Sequence, residues 1–229
     1  MRKMPYREPD SELLKADLFG RVERIHLSER DGGLANSIVR RDTRCARWWT
    51  RWLARHLAAR ENRALLALAD VAAVPRALSW QSGVLERSWQ DGAPMQLAKP
   101  TDPAYFAQAL RLLVQLHRRR VTHNDTAKEP NWLVKPDGTP ALIDYQLASV
   151  HRRRGRRFKL QAREDLRHML KHKRTYCPEA LTQRELQILA TPSVAARLWR
   201  VTGKRVYMFV TRRILRWSDR EGAGDRQLP

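Results

Sequence analysis

The feature that most restricts the fold is a run of polar side chains among short apolar segments at residues 121–148, VTHNDTAKEPNWLVKPDGTPALIDYQLA. The segments WLV and ALI are typical of short strands, and the Pro-Asp-Gly between them favours a turn. His123 and Asp125 precede the two strands, Asn131 begins them, and Asp144 follows them. A structural hairpin needs none of these polar groups, so the sequence predicts that they meet at a functional site.

The residue types in this stretch favour a site for Mg²⁺ and a nucleotide. Asn131 offers an amide oxygen from a loop, and Asp144 offers a carboxylate from the end of a strand. Mg²⁺ prefers such hard oxygen ligands and is held by one or two carboxylates together with substrate phosphates. A further carboxylate, Asp125, is suited to orient an attacking hydroxyl and accept its proton. The pattern therefore favours Asn131 and Asp144 as metal ligands and Asp125 as a general base.

The sequence before this stretch divides into extended and helical parts. Residues 18–40 hold short apolar segments that predict strands, and Gly32-Gly33 between them favours a tight turn. Residues 46–69 predict a helix. Its predicted apolar stripe consists of Trp49, Trp52, Leu53, Leu57, Leu65 and Leu68. Glu61 falls on this stripe, where a charge needs a partner unless the register differs and Glu61 is exposed.

A second helix is predicted from about residue 101 to residue 120. Thr101 or Asp102 is suited to cap its N-terminus, and Pro103 suits its first turn. Three arginines close it, where positive charge favours the helix dipole. From about Lys159 onward the sequence is mainly helical in pattern.

Two motifs in the polar stretch resemble those of the protein-kinase-like superfamily. His123-Asn124-Asp125 with Asn131 is similar to the catalytic loop HRDxxxxN, and Asp144-Tyr145-Gln146 is similar to the metal-binding DFG. The order of elements agrees over about residues 18–170. The compact size and abundant arginine look most like the bacterial lipopolysaccharide kinases, which phosphorylate Kdo or heptose in the lipid A core. RIO-type atypical kinases are similar too.

The resemblance implies an α+β fold of two lobes. The smaller lobe, residues 1–87, would grip the nucleotide with a sheet and a helix. The larger lobe, residues 88–229, would be mainly helical and carry the catalytic loop, the metal site and a basic tail. ATP and Mg²⁺ are the implied cofactors.

The resemblance also implies roles in the catalytic loop and metal motif. Asp125 would be the base, with His123 as its structural support. Lys128 would face the transferred phosphate. Asn131 and Asp144 would hold Mg²⁺, which agrees with the chemistry of their side chains.

In the smaller lobe the resemblance assigns residues that grip the nucleotide. Glu61 would pair with Arg40, which stands at the place of the family's strand lysine. Arg41 is the less favoured candidate because side chains alternate along a strand. Gly32 and Gly33 would cover the phosphates, although they do not match GxGxxG and also suit a plain hairpin turn.

Three departures from the family pattern stand out. Arginine replaces the lysine, and the two are not interchangeable at a phosphate site. The loop from Asp125 to Asn131 is one residue longer than HRDxxxxN. Tyr145-Gln146 replaces Phe-Gly, which argues against a freely flipping metal loop. None of these changes removes the three oxygen-bearing side chains, so an active enzyme is expected.

Composition indicates the partners. Lys and Arg number 45 against 24 acidic residues, a net charge of +21, which suggests an anionic partner. Two cysteines imply no disulfide framework and suit a reducing compartment. The N-terminal residues lack the apolar core of a signal peptide, and no window is apolar enough for a spanning helix. We therefore expect a cytoplasmic protein, or one bound peripherally to the inner face of the cytoplasmic membrane.

Two basic segments bear on the acceptor. HRRRGRRFK at residues 151–159 follows the metal motif and is either a solvated surface or a platform for an acidic or phosphorylated acceptor. Residues 197–217 carry seven Lys or Arg and no acid. This tail fits an interfacial helix on anionic lipid, or a helix packed on the larger lobe.

Three functions remain open at this stage. The first is phosphorylation of a sugar of the lipopolysaccharide core, an anionic and lipid-anchored acceptor. The second is a RIO-like Ser/Thr protein kinase on ribonucleoprotein, where the same charge would meet RNA phosphates. The third is a non-catalytic kinase-like binding module in which arginine marks a lost activity. No base-reading or RNA-stacking motif is visible, which weighs against nucleic acid as a partner.

Overall fold

The computed structural model describes residues 11–27 and 37–191. The strands are β1 Ser11–Asp17, β2 Gly20–His26, β3 Ser37–Asp42, β4 Ala77–Gln81, β5 Val84–Ser88, β6 Ala93–Pro94, β7 Val121–Thr122, β8 Trp132–Val134, β9 Pro140–Leu142 and β10 Ser149–Val150. The α-helices are α1 Arg51–Ala67, α2 Met95–Ala98, α3 Pro103–Arg118, α4 Arg156–Tyr176 and α5 Gln183–Ala190. Short 3₁₀ turns cover Glu129–Asn131, Tyr145–Leu147 and Pro178–Ala180.

The N-terminal part is an antiparallel sheet with one helix. Its five strands lie in the order β1-β2-β3-β5-β4, and each neighbouring pair is antiparallel. The extended structure predicted over residues 18–40 corresponds to β2 and β3, whereas β1 was not predicted. Gly32 and Gly33 lie outside the described residues, so the proposed phosphate-covering turn stays a prediction.

The apolar stripe predicted over residues 46–69 is buried at its C-terminal end, at Glu61, Leu65 and Leu68, but not at its N-terminal tryptophans. Trp49 and Trp52 are 42% and 71% exposed. The buried positions are Ala54, Ala58, Glu61, Ala64 and Leu65. Alanine at these positions lets the helix backbone approach its neighbours closely, and the tryptophans are therefore on the outside.

The remaining described elements form a mainly helical part around one apolar core. Trp132, Tyr105, Tyr145 and Phe106 are among its largest fully buried side chains. Burying each such ring stabilises the fold by roughly 1.5–3 kcal/mol. The buried polar atoms of two rings have partners: Trp132 Nε1 donates to the Thr126 carbonyl at 3.1 Å, and the Tyr105 hydroxyl donates to the Leu133 carbonyl at 3.2 Å. This core fixes the short hairpin of β8 and β9 that carries the polar stretch.

Helix α3 begins where the capping chemistry predicts. The Asp102 carboxylate accepts a hydrogen bond of 2.8 Å from the Ala104 amide, and Pro103 occupies the first helical position. The helical pattern expected from Lys159 onward corresponds to α4, which begins three residues earlier, at Arg156.

Backbone contacts group residues 1–185 into one compact unit and residues 186–229 into a second. The expected division into lobes at residues 1–87 and 88–229 stays a prediction. The basic tail at residues 197–217 lies outside the described residues. No helix among residues 11–27 and 37–191 is long and apolar enough to cross a membrane.

Candidate active site

The loop that carries Asp125 is anchored by a buried carboxylate from α4. The two oxygens of Asp165 accept hydrogen bonds from the backbone amides of His123 and Asn124, each at 2.9 Å. Asp165 is 1% exposed, and its Oδ2 also lies 3.2 Å from His117 Nε2. Asn124 has a left-handed backbone with φ of 66°. Asp165 therefore holds the loop in a sharply turned conformation through its backbone amides.

His123 joins this loop to the segment that leads to Asp144. Its Nε2 lies 3.0 Å from the Ile143 carbonyl, and its Nδ1 accepts from the Asp125 amide at 3.3 Å. These partners suit the tautomer that carries its proton on Nε2. The buried ring also packs edge-to-face on Tyr145, with centroids 4.6 Å apart. The imidazole thus fixes the distance between the loop and the metal motif.

Asp125, Lys128 and Asn131 form one polar group. Asp125 Oδ2 lies 3.2 Å from Lys128 Nζ, and it accepts from Asn131 Nδ2 at 3.2 Å. The same amide nitrogen donates to the Asp125 carbonyl at 3.0 Å. The Asp125 side chain is 12% exposed and that of Lys128 is 50% exposed. A substrate therefore has access to the group from the side of Lys128.

Asp144 follows the hairpin in a strained backbone conformation. Its φ and ψ are 65° and 68°, in the left-handed region that non-glycine residues rarely adopt. Its Oδ2 accepts from Gln146 Nε2 at 3.3 Å. Its Oδ1 is buried without a hydrogen-bond partner and lies 3.7 Å from Arg41 Nη2. Strain and an unmatched carboxylate oxygen at one residue are typical of a functional position.

The Asn131 and Asp144 segments run side by side. The Ile143 amide donates to the Asn131 carbonyl at 2.9 Å, one residue before Asp144. Asn131 donates through its amide nitrogen to Asp125, which leaves its side-chain oxygen as the atom able to act as a ligand. The hairpin therefore brings an amide oxygen and a carboxylate to one end of the β8–β9 ladder.

The structure corrects the partner of Glu61. The sequence favours Arg40 as that partner, but Arg40 Nη2 and Nε lie 2.8 Å and 2.9 Å from Glu86 Oε1 on the adjacent strand. Glu61 instead lies 3.4 Å from Arg41 Nε and 3.0 Å from Arg87 Nε. In the register of β3 and β5, Arg40 opposes Glu86 and Val39 opposes Arg87. Arg41 therefore shares a sheet face with Arg87, toward α1, whereas Arg40 faces away.

The contacts between Glu61 and the two arginines are ionic rather than well-aligned hydrogen bonds. Both carboxylate oxygens of Glu61 and both Nε atoms lack a partner with hydrogen-bond geometry, although the charges are in contact. Burial tends to lower the pKa of Arg41, but the carboxylates of Glu61, Asp144 and Asp17 outweigh it and raise that pKa. Arg41 remains charged beside Asp144.

Gln146 completes the connection between the two parts of the site. Its side-chain oxygen accepts from Arg41 Nη1 at 2.8 Å, while its nitrogen donates to Asp144. Gln146 stands at the position of the glycine in the DFG motif that the sequence resembles. Gln146 therefore connects Arg41 and Asp144 through hydrogen bonds.

Three residues of the site are not predicted by the sequence: Asp165, Arg87 and Gln146. Asp165 lies 42 positions from His123, and an aspartate inside a charged helix carries no local signal. Arg87 becomes visible only when the register of β3 and β5 is known. Gln146 was noted as a departure from the family motif, and that departure was the signal.

The donor set fits Mg²⁺ through oxygen atoms of mixed type. Among the described residues no group of three His, Cys, Asp or Glu side chains could hold a metal ion. The buried Asp144 Oδ1 without a hydrogen-bond partner and the free amide oxygen of Asn131 are nevertheless hard ligands. Mg²⁺ commonly takes only one or two carboxylates, and it completes its shell with water and phosphate oxygens.

Comparison with known proteins identifies the fold. No protein-family model matches the sequence, and no curated protein matches it either. Among solved structures, Rio2 kinase from Chaetomium thermophilum in an ADP/Mg²⁺-phosphoaspartate complex is similar, with a TM-score of 0.52 and 16% identity. A second Rio2 kinase structure from that organism has a TM-score of 0.54 and 15% identity. The chain has the two-lobed protein-kinase-like fold.

The extent of the similarity limits what it shows. The alignment covers 80% of this chain in both cases. It covers 62% of the first Rio2 chain and 70% of the second, so the first is matched over less than two thirds of its length. The α+β, two-lobed fold expected from the sequence is confirmed. The roles of individual residues rest on the geometry described above.

Proposed function

We propose that the protein is an ATP- and Mg²⁺-dependent phosphotransferase that acts on a hydroxyl group. The observation that carries the proposal is the position of Asp144, held between Gln146 and Arg41 with one buried oxygen lacking a hydrogen-bond partner. A buried carboxylate oxygen of this kind suits a cation, and the charged Arg41 beside it suits a phosphate. The bound ADP and Mg²⁺ of one similar Rio2 structure also support the proposal.

The proposed reaction divides the work among the residues of the loop. Asp125 orients the acceptor hydroxyl and takes its proton as the hydroxyl oxygen bonds to the γ-phosphorus. The bond from that phosphorus to the bridging oxygen of ADP breaks at the same centre. Lys128, 3.2 Å from Asp125, neutralises charge on the transferred group.

In the proposed complex, residues from both sides of the site would hold the cofactor. Asn131 and Asp144 would hold Mg²⁺, which when bound would neutralise charge on the nucleotide phosphates. Arg41, fixed by Glu61 and Gln146, would contact those phosphates in the role first assigned to Arg40. Residues Gly32 and Gly33 stay proposed phosphate contacts.

Our preferred acceptor is a sugar of the lipopolysaccharide core. The net charge of +21 suits an anionic acceptor at a membrane. The protein would then act from the cytoplasm, bound at the inner face of the cytoplasmic membrane. The second candidate is a RIO-like Ser/Thr protein kinase, which the similarity to Rio2 kinase favours. We also propose that the two lobes divide at residue 87 and that the basic tail, residues 197–217, binds the membrane.

Two matched variants test the proposed roles. Asp144→Asn removes a carboxylate charge from the metal site, so Mg²⁺-dependent ATP binding and transfer should both fall. Asp125→Asn should retain ATP binding and lose transfer, because a base does not hold the nucleotide. Isothermal titration calorimetry with ATP, with and without Mg²⁺, separates the two. Equal, wild-type Mg²⁺-dependent ATP affinity in both variants would show that the metal assignment is wrong and would favour a non-catalytic module.

A further inference from the structure

A basic pocket of about 340 Å³ lies between α1 and the segment that follows the metal motif. It is lined by His56, Arg60, Arg63, Ala148, Ser149, Val150, His151 and Arg157. Three arginines and two histidines are among them, and none of these described lining residues is acidic. The mechanism proposed above uses none of them.

No acidic side chain among the lining residues neutralises the positive charge of the basic pocket. Burial, and then the nearby charges of Arg63 and Arg157, lower the pKa of Arg60. Burial and Arg157 likewise lower the pKa of His151. Like charges at one concave site raise the free energy of the empty protein, and a bound anion would relieve that repulsion.

One wall of the basic pocket is rigid and tied to the catalytic loop. Arg60 Nη2 donates to the carbonyls of Leu147 and Ala148 at 2.8 Å and 3.1 Å. Asn124 Nδ2 donates to the same Leu147 carbonyl at 2.8 Å and to the Ser149 hydroxyl at 3.0 Å. Asn124 directly precedes Asp125. The pocket and the proposed base are therefore held by shared hydrogen-bond partners.

We propose that the basic pocket binds a phosphate monoester dianion. Arginine forks match the oxygens of phosphate, and several arginines around one cavity favour a doubly charged group over a carboxylate. The Ser149 hydroxyl adds a neutral donor. The source is either a phosphate already present on the acceptor or free inorganic phosphate. Only the first source rests on the proposed phosphotransferase function.

Calorimetric titration of the full chain tests this proposal. Inorganic phosphate, glucose 6-phosphate and glucose are the three probes. The pocket variant is Arg63→Gln/Arg157→Gln, whose two side chains are exposed and can be changed without disturbing the core. The control is Arg153→Gln, an exposed arginine of the same basic segment that does not line the pocket.

We expect the wild type to bind both phosphate probes and not to bind glucose. The pocket variant should bind phosphate about tenfold more weakly or worse, because removing a charged hydrogen bond causes a loss of that size. The control should retain wild-type affinity, and excess ADP should not displace the phosphate. Tighter binding of glucose 6-phosphate than of inorganic phosphate would assign the site to a phosphorylated acceptor; the reverse would assign it to free phosphate. Equal weakening in the control, displacement by ADP, or no phosphate binding by the wild type would overturn the proposal, whether or not the protein transfers phosphate.

A separate observation concerns three exposed tryptophans before and within the first turn of α1. Trp48, Trp49 and Trp52 are 83%, 42% and 71% exposed, although tryptophan is highly buried on average. The Arg51 amide donates to the Arg47 carbonyl at 3.0 Å, and the Ala54 amide donates to the Thr50 carbonyl at 2.9 Å. Trp48 and Trp49 therefore lie in the turn that leads directly into α1, and Trp52 lies in the first turn of that helix. We call these three residues the tryptophan surface.

Arginine surrounds the tryptophan surface. Arg47, Arg51 and Arg55 are exposed, and the sequence from residue 43 to residue 60 contains no acidic residue. Indole rings favour the boundary between lipid and water, and flanking cations are attracted to anionic headgroups. The three side chains are exposed within five residues rather than lining a groove, which suits insertion into a planar bilayer better than stacking of bases in a groove.

We infer that the tryptophan surface docks on an anionic lipid bilayer. Sedimentation of the full chain with vesicles of phosphatidylglycerol and phosphatidylcholine, compared with phosphatidylcholine alone, tests the inference. The surface variant is Trp48→Ser/Trp52→Ser, and the control is Leu97→Ser, which changes a 69% exposed apolar side chain elsewhere. RNA is the rival partner for this surface, and a parallel titration of the same proteins with poly-U RNA tests it.

The expected result is preference for the anionic vesicles and roughly tenfold weaker vesicle binding in the surface variant, because insertion of each ring removes apolar area from water. The Leu97→Ser variant should bind as the wild type does. Unchanged vesicle binding in the surface variant would overturn the inference. Loss of poly-U binding without loss of vesicle binding would also overturn it, in favour of RNA.

Discussion

Replacing Glu61 by Gln should destabilise the protein strongly. Glu61 is fully buried, and its carboxylate lies 3.0 Å from Arg87 Nε and 3.4 Å from Arg41 Nε. The two arginine side chains are only 10% and 16% exposed, so water cannot replace the lost charge. Removing one partner of a buried ion pair costs about 3–5 kcal/mol. For a domain of this size each kcal/mol lowers Tm by about 2–4 °C, so Tm should fall by roughly 6–20 °C.

Glu86→Gln is the matched control for this prediction. Glu86 also pairs with an arginine of β3, but that arginine, Arg40, is 39% exposed. Exposed pairs contribute about 1 kcal/mol or less, so Tm should fall by less than about 4 °C. Adding Arg87→Met to Glu61→Gln should recover part of the stability, because it removes one uncompensated buried charge. Thermal melts followed by circular dichroism measure all three. Equal shifts in Glu61→Gln and Glu86→Gln would refute the buried cluster.

Three further predictions concern the site and its support. Asp165→Asn weakens the anchor of the catalytic loop, so turnover should fall by about 10²-fold while calorimetric ATP affinity is retained; an unchanged rate would remove Asp165 from its positioning role. Arg41→Gln should weaken ATP binding about tenfold and Arg40→Gln should leave it unchanged; the opposite order would restore the original assignment to Arg40. Burial lowers the pKa of His168 and of His172 below 6.5, so the unfolded chain takes up protons more readily. Stability is therefore present above pH 6.5 and is lost as pH falls through the lower folded values. Melts between pH 7.5 and pH 5 should show this loss, and it should be smaller in His168→Gln/His172→Gln; identical slopes would contradict it.

Local chemistry explains why the fold and the polar group were predictable. Asp125, Asn131 and Asp144 lie within 20 positions of one another, on a hairpin whose strands and turn are readable from residue type. The Asp102 cap and Pro103 mark the start of α3 in the same local way. The two-lobed kinase-like fold is expected from the resemblance of these motifs to kinase motifs, with which the order of the elements agrees.

The errors arose where tertiary context decides between local alternatives. Alternation along β3 shows that Arg40 and Arg41 face opposite sides, but only the position of α1 shows which side holds Glu61. The predicted apolar stripe of α1 includes Trp49 and Trp52 as well as leucines, whereas alanines occupy most of the buried positions of the helix. Alanine suits either environment, so the pattern alone could not identify the face. Asp165 and Arg87 come from elements that are distant in the sequence from the polar stretch, and no local sequence pattern predicts their contacts with the site.

The most direct test of the central claim is transfer of labelled γ-phosphate from ATP in the presence of Mg²⁺. Purified lipopolysaccharide core glycolipid and a mixed protein substrate serve as parallel acceptors, each with wild-type protein and with Asp125→Asn. The proposed function predicts label in the glycolipid with wild-type protein and a loss of about 10²-fold or more in the variant. Label in protein alone would move the assignment to the RIO-like candidate. No transfer to either acceptor by a wild-type protein that binds ATP, or undiminished transfer by Asp125→Asn, would contradict the account.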